Sequence, residues 1–215
     1  MAAPGQMEAQ VAKTVGVILA GGRASRMGGG DKALLELGES TLLDHVIARL
    51  RPQCAALAIN ANGDPARFAR LGLPVIADTI GGLPGPLAGI LAGMEWAAAR
   101  GGDSLVSAAG DTPFLPGDLA ERLRDAGGGG LALAASVDGE GVQRLHPTFG
   151  LWPVALRGDL RAALERGERK VATWAQNHGA AVAQFAAGEG TDPFFNVNTP
   201  NDLERARALL ASNPA

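Results

Sequence analysis

The hydrophobic and polar positions along the chain fall into short apolar runs, each followed by a glycine-, asparagine- or aspartate-bearing loop and then an amphipathic stretch. The first run is Val15-Gly-Val-Ile-Leu-Ala20, the pattern of a strand buried on both faces. A second, Ala55–Asn60, ends on Asn60; a third, Val75–Ala77, ends at Asp78; a fourth, Leu105–Ala109, ends at Gly110-Asp111. Between them, Thr41-Leu-Leu-Asp44 has the spacing of a capping box and opens a helix that runs to Arg51 and stops before Pro52. Phe68–Leu71 reads as a short helix closed by Gly72. Pro86 suits the first turn of another helix, whose Leu87, Ile90, Leu91 and Met94 share one face. Pro113 and Pro116 lead into a helix over 117–126.

This β-loop-α alternation predicts an α/β fold, a single doubly wound, mostly parallel Rossmann-like sheet with helices on both faces. In such sheets ligands bind beyond the carboxyl ends of the strands. The four runs therefore deliver Gly21/Gly22, Asn60, Asp78 and Asp111 to one edge. Each polar residue alone is an ordinary turn former or helix cap; their joint placement points to a nucleotide site.

The second half is less regular. Leu131–Val137 is strand-like, Asp138-Gly139 is a hairpin signal, and Val142–Trp152 forms the returning strand. Pro147 inside it calls for an edge position or a bulge. Two helices over 153–166 and 170–178, a short strand over 181–185 and a final helix opened by Thr199-Pro-Asn-Asp202 complete the pattern. Asn196 and Asn198 fall on one face of a short strand before that helix. We expect residues 1–13 to form a disordered extension and 14–215 one domain, with a nucleotide-binding half over 14–126 and an acceptor-binding half over 127–215.

Composition narrows the chemistry. The 215 residues carry a net charge of −3, so nothing global points to nucleic acid or an anionic membrane surface. No run is long enough to span a membrane. The single cysteine, Cys54, rules out an internal disulfide and fits a cytoplasmic protein. His45, His146 and His178 lack zinc-site spacing, no GxSxG elbow occurs, and tyrosine is absent. His146, on a strand beside Arg144, is either structural or a substrate contact.

Positive charge is instead local to the loop after the first strand, Gly21-Gly-Arg-Ala-Ser-Arg-Met-Gly-Gly-Gly-Asp-Lys32. Glycines admit a ligand close to the backbone, and arginine and lysine grip phosphate oxygens. The Walker pattern is absent, since Lys32 stands between Asp31 and Ala33, and a forced G-x-G-x-x-A match lies too far past the strand. Asp111 is the best candidate ligand for Mg²⁺ (or Mn²⁺), which takes one or two carboxylates together with substrate phosphates.

The stretch L-A-G-G-x-x-x-R-M-G-x-x-D-K, Leu19 through Lys32, resembles the signature loop of nucleotidyltransferases that pass a nucleoside monophosphate from an NTP to an acceptor. With Asn60-Ala-Asn62, Asp78, Pro84-Gly-Pro-Leu-Ala-Gly89, Asp111-Thr-Pro-Phe114, His146-Pro147 and Asn196-Val-Asn-Thr-Pro200 in order, the chain resembles the molybdenum cofactor guanylyltransferases over 15–209. Gly30 departs from the pattern, standing where relatives often carry a larger residue.

The resemblance implies transfer of GMP from GTP to molybdopterin or Mo-molybdopterin. Leu19, Ala20, Gly21, Gly22, Gly89, Asn60 and Asp78 would hold the nucleotide, and Lys32 its phosphates. Asp111 would hold Mg²⁺, Asn196 and Asn198 would complete its surroundings, and Arg26 would steady charge on departing pyrophosphate. We expect a monomer, with molybdoenzymes and cofactor-handling proteins as further candidate partners. Two rivals stay open from sequence: a CMP-transferring relative, and a nucleotide-binding module without turnover.

Overall fold

The structure is a computed structural model describing residues 14–21, 31–82, 85–138, 140–186 and 192–212. The expected extension over 1–13, and Gly22, Arg26 and Gly30 of the glycine loop, lie outside the described residues.

Nine strands and six α-helices are described. They run β1 (Thr14–Leu19), β2 (Glu36–Leu37), β3 (Ser40–Thr41), α1 (Leu42–Leu50), β4 (Ala56–Asn60), β5 (Val75–Ile76), α2 (Pro86–Ala98), β6 (Ser104–Ala109), α3 (Leu119–Gly127), β7 (Ala132–Val137), β8 (Gln143–Pro153), α4 (Arg157–Glu165), α5 (Val171–Asn177), β9 (Ala181–Ala186) and α6 (Pro200–Ser212). Seven strands form one sheet in the order β5-β4-β1-β6-β8-β7-β9, and β2 and β3 make a separate hairpin. The hairpin carries no strong sequence signal. The helix expected over 68–71 is a 3₁₀ segment, Pro65–Leu71, closed by Gly72 at φ 62.

β1 pairs in parallel with β4 on one side and β6 on the other, and β4 pairs in parallel with β5. Alternate β1 residues face opposite layers. Ile18 joins Leu43, Val46 and Leu50 of α1 and Leu119 and Leu123 of α3 in one core. Val15 and Val17 join Leu87, Ile90 and Met94 of α2, with α4 and α5, in the other. Burial on both faces is why β1 reads as a continuous apolar run. Gly93 of α2 lies so close that a Cβ there would sit 2.9 Å from Val17 Cγ1. α1 begins as its sequence predicts: the Thr41 hydroxyl accepts from the Asp44 amide while the Asp44 carboxylate accepts from the Thr41 amide at 2.8 Å.

The second half adds the antiparallel element. β8 runs against both β6 and β7, and β9 lies parallel to β7. β8 is interior, so the edge position that Pro147 allowed is excluded. Its other option holds: the β7 register jumps from Leu133↔Gly150 to Ala134↔His146, a bulge that contains Pro147. Against β6, β8 is paired only over Ser104–Ser107; beyond this the Ser107 hydroxyl donates to the Thr148 carbonyl at 2.8 Å. The carboxyl end of β6 is thus free of β8. The edge strand β9 is partly covered by Arg122, which bonds the Gln184 carbonyl and lies over the Phe185 ring.

Candidate nucleotide site

β1, β4, β5 and β6 are mutually parallel, so Gly21, Asn60, Asp78 and Asp111 emerge at the same edge of the sheet. The chain leaves β1 toward β4 and later returns to β6 on the other side. This switch point places a crevice at the carboxyl ends of β1 and β6.

Lys32 returns to that crevice at the far end of the glycine loop. Asp31 starts a 3₁₀ turn over Lys32–Leu34, with its carbonyl accepting from Leu34 N at 3.0 Å. Ala33 is buried against Gly110, where a Cβ would meet the Ala33 methyl at 3.3 Å and the Leu19 carbonyl at 3.3 Å. A larger residue at 110 would push the turn away. With glycine there, Lys32 Nζ lies 2.5 Å from Asp111 Oδ2.

The third wall is Asp192–Asn198, which crosses the free end of β6. No ladder holds Asn196 and Asn198, so the short strand expected for them does not form. The segment is held by single contacts instead. Val197 N donates to the Asp111 carbonyl at 3.0 Å, the Thr112 hydroxyl donates to Asn196 Oδ1, and Lys32 Nζ donates to Asn198 Oδ1. At its start, the Asp192 carboxylate accepts from Phe194 N at 2.9 Å and from the Ser136 hydroxyl at 3.3 Å. The Phe194 ring stacks on His146 at 4.5 Å and packs against Phe149 and Phe185. His146 Nε2 meets Ser136 Oγ at 2.8 Å and Asp192 Oδ2 at 3.9 Å. Serine and aspartate face the same ring nitrogen, which is not the relay of a hydrolytic triad, where they address opposite nitrogens. Burial holds the imidazole below its ordinary value of 6.5; Asp192 opposes this and Arg144 adds to it. His146 therefore supports the wall as a neutral, stacked ring.

A lysine ammonium has three donors. Two are used on Asp111 and Asn198 among the described residues, which leaves one to point at an incoming oxygen. The hard oxygens converging here, the Asp111 carboxylate and the Asn196 and Asn198 amide carbonyls, are donors of the kind Mg²⁺ accepts beside substrate phosphates. No group of three or more His, Cys, Asp or Glu able to hold a metal occurs among the described residues.

At the β4/β5 end, Asp78 is held from two sides. Asn60 Nδ2 donates to its Oδ1 at 3.0 Å, and Asn62 Nδ2 to its Oδ2 at 2.8 Å, while Asn62 Oδ1 accepts from the Asp78 amide at 2.9 Å. Among the described residues each carboxylate oxygen accepts one side-chain hydrogen bond, which leaves it a lone pair. Asn60 is buried and also donates to the Ile76 carbonyl at 3.2 Å. Gly89, on α2, lines the floor beneath it: a Cβ there would fall 2.2 Å from Asn60 Oδ1 and 2.8 Å from Leu19 Cδ2. Its place is against Asn60. The Leu19 carbonyl accepts from Gly110 N at 3.0 Å and the Ala20 amide donates to the Asn60 carbonyl at 2.9 Å. Ala20's N–H is therefore committed to the sheet, while the Leu19 carbonyl keeps a second lone pair. Gly21 is exposed at the crevice.

The candidates Lys32, Asp111, Asn196 and Asn198 thus come together, and Asn60 and Asp78 form a second cluster. Thr112 and Asn62 lie in motifs that were legible, but their partners were not. Arg67 carries no sequence signal at all. Its Nη2 donates to the Asn62 carbonyl and its Nη1 to the Asp64 carbonyl, both at 2.6 Å, and its Nε lies 2.6 Å from Asp31 Oδ2. The Nε–H does not point along that last line, so the contact is an ion pair rather than a linear hydrogen bond.

Comparison with known proteins bears on the family and the fold. The family model described as a MobA-like NTP transferase domain matches residues 16–182. A molybdenum cofactor guanylyltransferase of Mesorhizobium japonicum is 50% identical over 204 residues, covering 92% of this chain and 96% of that protein. One of Cereibacter sphaeroides is 54% identical over 195 residues, covering 91% and 96%. The crystal structure of molybdopterin-guanine dinucleotide biosynthesis protein A from Archaeoglobus fulgidus superposes with a TM-score of 0.69 at 23% identity, over 93% of this chain and 100% of that one. That likeness establishes the Rossmann-like α/β fold, and the sequence matches establish kinship: this chain is a nucleotidyltransferase of the MobA-like NTP transferase family.

Proposed function

We propose that the protein transfers GMP from GTP to the terminal phosphate of molybdopterin or Mo-molybdopterin, releasing pyrophosphate and forming the guanine dinucleotide cofactor. The observation that carries this reading is the meeting of Lys32, Asp111 and Asn198 at the carboxyl ends of β1 and β6, together with half-identity to guanylyltransferases over nine-tenths of the chain.

The triphosphate would lie along the crevice, with its phosphates toward Lys32 and its guanosine toward Asp78. The Asp78 carboxylate, with one lone pair open on each oxygen, suits two adjacent donors of guanosine, either the N1–H and 2-amino edge or the ribose hydroxyls. Lys32 would donate its third N–H to a phosphate oxygen and stay aligned by Asp111 and Asn198. Asp111 would hold Mg²⁺, assisted by the asparagine carbonyls; when bound, that ion neutralises phosphate charge and favours in-line displacement. Of the glycine loop, Arg26 would steady the charge on departing pyrophosphate and Gly22 would help to bind the nucleotide, the roles that the family resemblance implies for them. The acceptor phosphate is already ionised near neutral pH and attacks the α-phosphorus without a general base. The protein contributes alignment and charge neutralisation. We assign the acceptor half to 127–215, whose Asp192–Asn198 wall faces the nucleotide half.

The test is a panel of GTP, CTP, ATP and UTP with molybdopterin and Mg²⁺, scored for pyrophosphate. A strong preference for GTP is expected. Preference for CTP would replace the guanylyl assignment with cytidylyl transfer, and nucleotide binding without pyrophosphate release would make the protein a binding module.

A further inference from the structure

The two clusters of the site are joined by one side chain. Asp31 directly precedes Lys32 and anchors its turn; Asn62 clamps Asp78 through both its amide nitrogen and its amide oxygen. The Arg67 guanidinium sits between them. It bonds the Asn62 and Asp64 carbonyls and pairs with Asp31, and with only 26% of its side chain exposed it is partly shielded from water. The loop is shaped to receive it. Gly63 has φ +88, and a Cβ there would lie 3.2 Å from Arg67 Nη1. Phe68, fully buried, roots the 3₁₀ segment and lies under the guanidinium at 4.7 Å. A rigid planar fork can address a carboxylate and two carbonyls together; an ammonium of similar reach cannot.

We propose that Arg67 is a positioning residue that fixes the spacing between the phosphate-binding lysine turn and the Asn62–Asp78 clamp, so that one nucleoside triphosphate engages both ends at once. The inference rests on the nucleotide reading above. Its energetic content is that of a chelate: each end retains its own affinity, and the bridge sets how well the two act together.

The experiment is calorimetric titration of the full chain with GTP and, separately, with inorganic tripolyphosphate, which can occupy only the phosphate end. Arg67→Lys keeps the charge and loses the fork. It is expected to raise the GTP dissociation constant about fivefold, and Arg67→Ala about tenfold or more, within the range found for coupled neighbours. Tripolyphosphate affinity should stay at the wild-type level in Arg67→Lys. If Arg67→Ala does not fold, Arg67→Lys alone carries the test. The proposal is overturned if both variants bind GTP as the wild type does, or if GTP and tripolyphosphate weaken by the same factor in Arg67→Lys, which marks general damage. A wild-type chain that binds tripolyphosphate but not GTP would instead overturn the nucleotide reading, and this inference with it.

Discussion

The amide of Val197 donates to the carbonyl of Asp111 at 3.0 Å, joining a segment near the end of the chain to the residue that terminates β6. Asn196 and Asn198 flank the bonded Val197 in the chain, one held by Thr112 and the other by Lys32. The site is therefore assembled from three remote stretches around one carboxylate.

Asp111→Ala removes the carboxylate proposed to hold Mg²⁺ and leaves the Val197 backbone bond in place. Pyrophosphate release from GTP and molybdopterin should fall by at least about two orders of magnitude, the scale of losing a charge-stabilising group. The side chain is only partly buried, so thermal melting should change little. Normal turnover in this variant would remove Asp111 from the metal site.

Gly89→Ala tests the packing under Asn60. A methyl cannot coexist with Asn60 Oδ1 at 2.2 Å, so the amide must turn away and release Asp78. Overpacking of this kind costs about 1–3 kcal/mol. Urea denaturation should show that loss, and GTP titration a weaker complex. A variant with wild-type stability and affinity would show that Asn60 can move without consequence.

Protonation of His146 should weaken the fold in mild acid. Burial holds its folded-state pKa below 6.5, the value it regains on unfolding. The unfolded chain then binds the proton more readily, so the contribution is present above pH 6.5 and lost as pH falls through the lower folded value. The groups facing the ring are Ser136 and Asp192, with Arg144 also acting on it. Melting temperature measured from pH 7.5 down to 5 should drop less in His146→Gln than in the wild type. Parallel curves would show that another group governs that window.

Asp44 governs a more acidic window. Burial raises its pKa, but hydrogen bonds from Arg70 and from the Thr41 amide and hydroxyl outweigh it and bring the carboxyl down from 3.8 to about 2. A depressed carboxylate stabilises the fold above its unfolded pKa, and the effect disappears as pH falls from near 4 toward 2. The side chain is partly solvated, so screening and the usual worth of a cap limit the effect to about 1 kcal/mol. Asp44→Asn should flatten the stability profile measured by denaturation across that range. An unchanged profile would mean that the cap carries no charge-dependent stability.

What the sequence determined by itself is local or periodic. Apolar runs set the order of β1, β4, β5 and β6; Thr41 and Asp44 set the start of α1; and the glycine loop with Asn60, Asp78 and Asp111 set the edge where a ligand would bind. Each follows from residues near one another in the chain. The bulge at Pro147, the interior place of β8 and the unladdered Asn196–Asn198 wall depend on which strands become neighbours, and no short pattern encodes that. Lys32 meets Asp111 because Gly110 leaves room for Ala33. Arg67 matters because its loop brings it between Asp31 and Asn62. The pairings of Lys32 with Asp111, Ala33 with Gly110 and Arg67 with Asp31 join residues distant in sequence, and tertiary packing alone decided them.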